Sequence, residues 1–360
     1  MKAKNPIDAS PPVQLDLGRP PGDWSERLSE VTKGAADCHG DVSAALTWCV
    51  GVGGYAPKPG DGRTVQLWEI LASTASVDVG VARILEPHLD ALAILAQADN
   101  VNLHRVGANA DSTWGVYAAE GAEFALTASG SEGEWLLDGV KPWCSLARDV
   151  SHALVTAHTG PSTRRLFAVN MAHAGVVPVD VPWVSRGLQQ VASTPVQFAH
   201  VPAVPVGEER WYLTRPGFAW GGLGVSACWW GGAIGVARLL YRQALQREPD
   251  QVALTLLGAV DTALNAARAA LAEASVLVDH QAASAPSPSI LARRVRNLVA
   301  EVAESTITHV GHALGPAPLA LDEEHARRVA DLQIYIRQHH AERDHAALGR
   351  DLVRMDELPW

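Results

Sequence analysis

The chain is poor in cysteine, and its four, Cys38, Cys49, Cys144 and Cys228, are widely spaced with no CxxC pair. That spacing argues against a disulfide framework or a zinc site and for free thiols in a reducing cytoplasm; no metal is expected. Basic residues are also short: 29 Lys and Arg face 39 Asp and Glu, for a formal charge of −10, with no basic run. A nucleic-acid or anionic-membrane partner is therefore not expected, because binding phosphates needs concentrated positive charge. Nowhere do eighteen apolar residues run unbroken, and the opening Met-Lys-Ala-Lys-Asn-Pro has no apolar core of signal-peptide length. A soluble, cytoplasmic protein is the expectation. Phenylalanine is scarce, 4 residues against 12 tryptophans. Indole rings suit stacking on a planar ligand, although most are expected in the core.

What is present is an ordinary globular balance, 48% hydrophobic and 19% charged over 360 residues, long enough for two or three packed units. Residues 1–22, rich in proline and polar groups, read as a poorly ordered lead. From Trp24 to Gln97 the apolar spacing is helical, with Val65–Ala72 and Val77–Leu95 as the clearest runs. Gly51–Gly60 has glycines but not the GxGxxG spacing, and reads as a loop. Between Val101 and Leu213 short apolar segments alternate with turn residues: Trp114–Ala119, Phe124–Thr127, Glu134–Leu137, Ala153–Ala157, Arg165–Val169 and Val196–Phe198. Ser129–Gly133 is the plainest hairpin turn.

After Gly217 four long helices are expected, Gly232–Leu245, Val252–His280, Ile290–Val310 and Asp322–Leu348, broken at Ala282–Ser289 and Gly311–Pro318. The sequence thus predicts an α+β chain: a helical domain over 23–100, a small antiparallel β-sheet or barrel over 101–215, and a C-terminal four-helix bundle over 216–360.

One stretch carries more than a fold. Gly139-Val-Lys141-Pro-Trp143-Cys-Ser145 resembles the middle-domain segment of the acyl-CoA dehydrogenase superfamily, in which a Trp packs on the flavin and a hydroxyl bonds flavin N5. The resemblance implies FAD, with Trp143 and Ser145 at the ring. It also places Tyr117 and Ala119 on a flavin-facing strand, within Trp114–Glu120, and Arg247 where the family holds a neighbouring subunit's FAD. It further implies a homodimer or homotetramer built through the C-terminal bundle, and hydride transfer from an acyl thioester, as in α,β-dehydrogenation of an acyl-CoA.

The sequence departs from that pattern in four places. The family's pyrophosphate-binding Ser-Asp is absent after Ala119-Glu-Gly121. Only the Arg of Arg-x-x-Phe-Gly survives, at Arg247. The Gly-rich turn shrinks to Gly311-His-Ala-Leu-Gly315. Finally, His339 stands where the catalytic Glu is expected. A histidine can act as the base, but two histidines facing a flavin also resemble the monooxygenases of this fold, with His88 and His339 as the pair and a separate reductase or electron-transfer partner. A third reading is a degenerate, non-catalytic subunit that partners an active homologue.

Overall fold

The computed structural model describes residues 10–20, 22–131, 134–281, 287–355 and 358. Four helices open it: α1 (Asp23–Asp37), α2 (Val42–Gly53), α3 (Thr64–Val77) and α4 (Val79–Gln97). Two start on side-chain caps. Asp41 accepts from the Ala44 amide and Asp78 from the Val81 amide, each satisfying an otherwise orphaned donor. Gly51–Gly53, expected in a loop, completes α2.

Residues 10–20, expected in a poorly ordered lead, are instead tied down. Val13 and Leu15 are buried, the Val13 amide donates to Ser73 Oγ at 2.9 Å, and the Leu15 and Asp16 amides donate to Glu69 Oε1. Glu69 Oε2 also accepts from Arg19 at 2.7 Å and from Trp24 Nε1 at 2.6 Å. A carboxylate buried in α3 is stable only with such donors, and meeting them orders the segment.

Seven strands follow: β1 (Trp114–Tyr117), β2 (Leu126–Ser131), β3 (Glu134–Ser145), β4 (His152–His158), β5 (Arg164–Asn170), β6 (Val176–Pro178) and β7 (Ser193–Val206). The order β4-β2-β3-β7-β5 closes on itself through the β4–β5 pair, giving a small five-stranded barrel. β1 and β2 join β4 in parallel, where antiparallel pairing throughout was expected. The β2–β3 hairpin lies in sequence between β1 and β4, and a connection of that length permits a parallel pair. That hairpin pairs Ser131 with Glu134; the tip of the expected turn, residues 132 and 133, lies outside the described residues.

The remaining helices are α5 (Trp211–Thr214), α6 (Pro216–Gln246), α7 (Gln251–His280), α8 (Pro288–Leu314), α9 (Ala317–Leu321), α10 (Glu323–Tyr335) and α11 (Glu342–Val353). The 282–286 part of the expected first breaker lies outside the described residues. The second comes later than expected: α8 runs through Gly311, and the chain turns at Gly315, φ +67°. The predicted fourth helix is broken after Tyr335, with a short 3₁₀ turn over Ile336–Gln338 and Ala341 in the left-handed region at φ +46°. His339 turns inward there to bond Asn297, which takes the chain out of the helical path.

α6 passes α3 at very close range. A Cβ on Gly231 would sit 2.1 Å from the Ala72 carbonyl oxygen, so glycine is what permits the crossing. α6 is long and apolar, and 78% of its most apolar window is buried in the fold. The main core is continuous across the first helices, the barrel interior and the C-terminal bundle.

Candidate functional site

The site is built where β3, α4, α6 and α10 meet. On β3 the pairing with β7 slips between Lys141 and Cys144, and within that bulge Trp143 has φ +58°. A bulge re-aims a side chain, and a bulky residue in left-handed backbone is strained. The outcome is an indole held outward, 62% exposed. Cys144 turns inward, and burial pushes its thiol up. Ser145 then faces the helices.

Ser145 Oγ lies 2.7 Å from Ser193 Oγ and accepts a hydrogen bond from Arg83 Nη2 at 3.1 Å. The Tyr117 hydroxyl donates to the Ser145 carbonyl at 2.9 Å. Burial raises the Tyr117 pKa and keeps that donor neutral, so Tyr117 positions Ser145 from behind. Ala119 is exposed beyond the end of β1. Its neighbour Glu120 accepts from Lys141 Nζ at 2.7 Å and pairs with His158 and Arg164. Burial works to raise the Glu120 pKa, and these donors outweigh it. Arg247, which follows α6, is exposed.

On α4, Arg83 Nη1 is buried without a hydrogen-bond partner among the described residues and lies 3.8 Å from Glu86 Oε2. The guanidinium also lies over the Tyr335 ring, 5.7 Å from its centre. Glu86 is 11% exposed. Its pKa rises from 4.5 to about 7, mainly through burial and against the pull of Arg83, with Asp90 adding to the rise. The Tyr335 hydroxyl reaches it at 3.4 Å, a long contact. Pro87 follows Glu86 inside the helix. It has no N–H for the carbonyl of residue 83, four positions back, so α4 loses one ladder bond beside the site.

The two predicted catalytic histidines occupy different faces. His88 lies two residues beyond Glu86, about 200° around the helix, so it turns away from Ser145. It packs toward α2, where a Cβ on Gly53 would meet its Nε2 at 2.8 Å. Both ring nitrogens are buried without a hydrogen-bond partner among the described residues, and burial lowers its pKa to about 4. His339 is buried elsewhere, with Nε2 2.8 Å from Asn297 Oδ1 and its ring edge-on to Trp229 at 6.3 Å. Trp229 in turn meets Tyr335 edge-on at 6.4 Å. Burial lowers the His339 pKa, and Asp344 opposes that shift. His339 thus borders the Arg83–Glu86–Tyr335 cluster through one indole, and His88 does not face it.

The structure therefore adds Arg83, Glu86 and Tyr335 to Ser145 and Trp143. The sequence held a signal for two of them. Arg83 and Glu86-Pro87 interrupt an apolar helical run, and charge inside such a run needs a partner.

No protein-family model matches the chain, and no curated protein resembles it in sequence. Solved structures do resemble it. Nitrososynthase from Micromonospora carbonacea var. africana superposes with a TM-score of 0.74 at 17% identity, covering 95% of this chain and 100% of that one. PigA with FAD and proline gives 0.74 at 15% identity, over 94% and 99% of the two chains. KijD3 in complex with FMN and dTDP-3-amino-2,3,6-trideoxy-4-keto-3-methyl-D-glucose gives 0.70 at 18% identity, over 91% and 92%. The chain has the acyl-CoA dehydrogenase fold that its β3 segment resembles.

Proposed function

We propose that this chain is a flavin-dependent oxidoreductase. The observation that carries the proposal is Trp143, a large indole held 62% exposed by strained backbone beside the Ser145 hydroxyl. Arg83, which bonds that hydroxyl through Nη2, has its Nη1 buried without a hydrogen-bond partner among the described residues. A planar ring system fits the exposed indole face, two positions along β3 from a Ser145 hydroxyl held in place by Ser193 and Arg83. When bound, a flavin supplies the redox chemistry, taking up a hydride equivalent or, once reduced, activating oxygen. The chain's own part is to orient the ring through Ser145 and Arg83 and to hold a proton at Glu86. A carboxyl near 7 is poised to gain or lose a proton at neutral pH.

FAD is the expected form and FMN the alternative. The segment that would grip a pyrophosphate has no Ser-Asp, and Glu120 is occupied by Lys141, His158 and Arg164. Arg247 is exposed and joins none of these contacts, so a role for it in holding FAD lies toward a second copy. Self-association through the bundle rests on the resemblance alone.

Among substrates, dehydrogenation of an acyl thioester is one arm of the test. Two carboxylates beside the site, Glu86 and Asp90, favour a polar, proton-bearing substrate over a bare acyl chain. The amino-sugar nucleotide bound by KijD3 and the proline bound by PigA support the same leaning. Monooxygenation is the second reading, favoured by the position of His339 one indole from Tyr335.

Titration of the purified protein with FAD and FMN, followed in the visible spectrum, tests the proposal. Saturable binding is expected, weakened about tenfold or more in Trp143→Ala and in Ser145→Ala. Folded wild-type protein that binds neither flavin, oxidised or reduced, overturns it. Loss of the flavin band with an acyl-CoA points to dehydrogenation. Substrate-dependent oxygen uptake with supplied reduced flavin, abolished in His339→Ala, points to monooxygenation.

A further inference from the structure

Between α3, α4 and the first half of α6 lies a slot with an acidic floor and indole walls. Glu86 and Asp90 stand four apart on one face of α4 and line it, with Trp68 and Trp220 beside them. The opposite wall is glycine. A Cβ on Gly221 would come within 2.7 Å of Asp90 Oδ1, and one on Gly224 within 4.0 Å of Trp68 Nε1. The space left is about 20 Å³, room for one water-sized group, and the slot opens outward beyond it.

Two features of the slot ask for a ligand. Trp68 is fully buried, and its Nε1–H has no acceptor among the described residues, a deficit of about 1–3 kcal/mol. The carboxylates form a like-charged i,i+4 pair inside the fold. Three guanidinium groups act on them from outside the slot: Arg83 bonds Ser145 through Nη2 and lies 3.8 Å from Glu86 through Nη1, while Arg296 is bonded to the Gly222 and Gln338 carbonyls and Arg215 to Gln97, which leaves Asp90 without an ion pair at this range among the described residues. None of the three lines the slot. The other titratable neighbours, Tyr335 of α10, Cys228 of α6 and Tyr212 of α5, are held neutral by burial.

We infer that the slot receives the protonated nitrogen of a small amine, with Glu86 and Asp90 as acceptors and the Trp68 and Trp220 rings as walls. An ammonium is water-sized and brings three donors, and indole is the best aromatic wall for a cation. An oxygen close to the nitrogen would take the Trp68 N–H, so an amino alcohol or amino ketone fits better than a bare amine. The inference names the substrate class for the flavin reading, but amine binding itself needs no flavin. A bound cation favours ionised carboxylates, so binding expels protons where Glu86 and Asp90 are still partly protonated, and affinity rises with pH through that range.

The experiment is calorimetric titration of the full-length protein, without flavin, using phenylethanolamine and its neutral analogue phenylethylene glycol. Each is run in two buffers of different ionisation enthalpy. The expected result is saturable amine binding with proton release near pH 6, and glycol binding at least about tenfold weaker. Glu86→Gln and Asp90→Asn should each weaken the amine about tenfold or more while leaving any glycol binding unchanged. Trp68→Phe, which keeps the ring and removes the N–H, should weaken the amino alcohol less. Equal binding of amine and glycol, amine binding unchanged in a folded Glu86→Gln/Asp90→Asn double variant, or no saturable binding overturns the inference. Flavin binding without amine binding ends this inference alone, and amine binding without flavin binding ends the flavin reading alone.

Discussion

Glu86 offers a quantitative check on the geometry of the site. Its carboxyl is moved from 4.5 to about 7, chiefly by burial, and its side chain is 11% exposed, so little solvent screening applies. At about 1.4 kcal/mol per pH unit, ionising it in the folded state costs about 3 kcal/mol relative to the unfolded chain. The sign follows from the direction of the shift. The folded protein binds this proton more tightly, so the contribution to stability is present in full below the unfolded pKa. It is lost as pH rises from about 4.5 to about 7, and is gone above that.

Glu86→Gln removes the titration and keeps the shape. Near pH 4 both side chains are neutral, and the two proteins should have similar unfolding free energies. By about pH 7.5 the Gln variant should be more stable by up to about 3 kcal/mol, with the gap opening across the window between. Asp90, pushed to about 6 by burial, titrates in both proteins and to first order cancels in the difference. Urea denaturation at several pH values, extrapolated linearly to water, measures the gap. A difference independent of pH, or a Gln variant less stable above pH 7, would refute the placement of Glu86 in a buried site.

Three further outcomes test the framework around it. Glu69→Ala strips the acceptor from Leu15, Asp16, Arg19 and Trp24; it should cost about 3–5 kcal/mol and speed hydrogen exchange at the Leu15 amide, and an unchanged Leu15 rate would sink the account of the lead. Gly231→Ala drives a methyl into the Ala72 carbonyl and should lower stability by about 1–3 kcal/mol or more by urea denaturation, whereas a neutral effect would show that α3 and α6 do not cross so closely. Pro87→Ala returns a donor to the Arg83 carbonyl and should raise stability by up to about 3 kcal/mol while weakening flavin and amine titrations; unchanged titrations would show that the proline does not position the site.

The architecture was legible wherever one element determined its own pattern. The apolar spacing of α3, α4 and α7 marked helices, and the turn residues between Trp114 and Phe198 marked short strands. Sequence reading failed where a distant residue decided the local structure. Residues 10–20 look like a polar lead, yet Glu69, 50 to 54 positions from the residues it bonds there, orders them. A clue was present in that glutamate, set inside the apolar run Leu67-Trp-Glu-Ile-Leu71, where only buried donors could keep it. The break at Ala341 had no comparable sign, since no glycine or proline lies between Ile336 and Glu342. It follows from His339 turning inward to Asn297 and Trp229.

The same contrast governs the chemistry. Trp143 and Ser145 are close in sequence and owe their arrangement to one bulged strand, so a local motif exposed them. The proton-holding group is assembled from α4 and α10, and no local spacing records which face of a helix meets which neighbour. His88 and Glu86 show the consequence: two residues apart, each plausible as a base, they are separated by about 200° of helix, and only Glu86 reaches Tyr335 and Arg83. Ser145, Arg83 and Glu86 form a continuous path from the candidate flavin contact to the acidic slot, in steps of 3.1 and 3.8 Å. On the proposed reading, a proton leaving a substrate in the slot meets Glu86, which lines it, before His88 or His339, which do not. His339 reaches the same cluster only through Trp229, and neither of the two lines the slot.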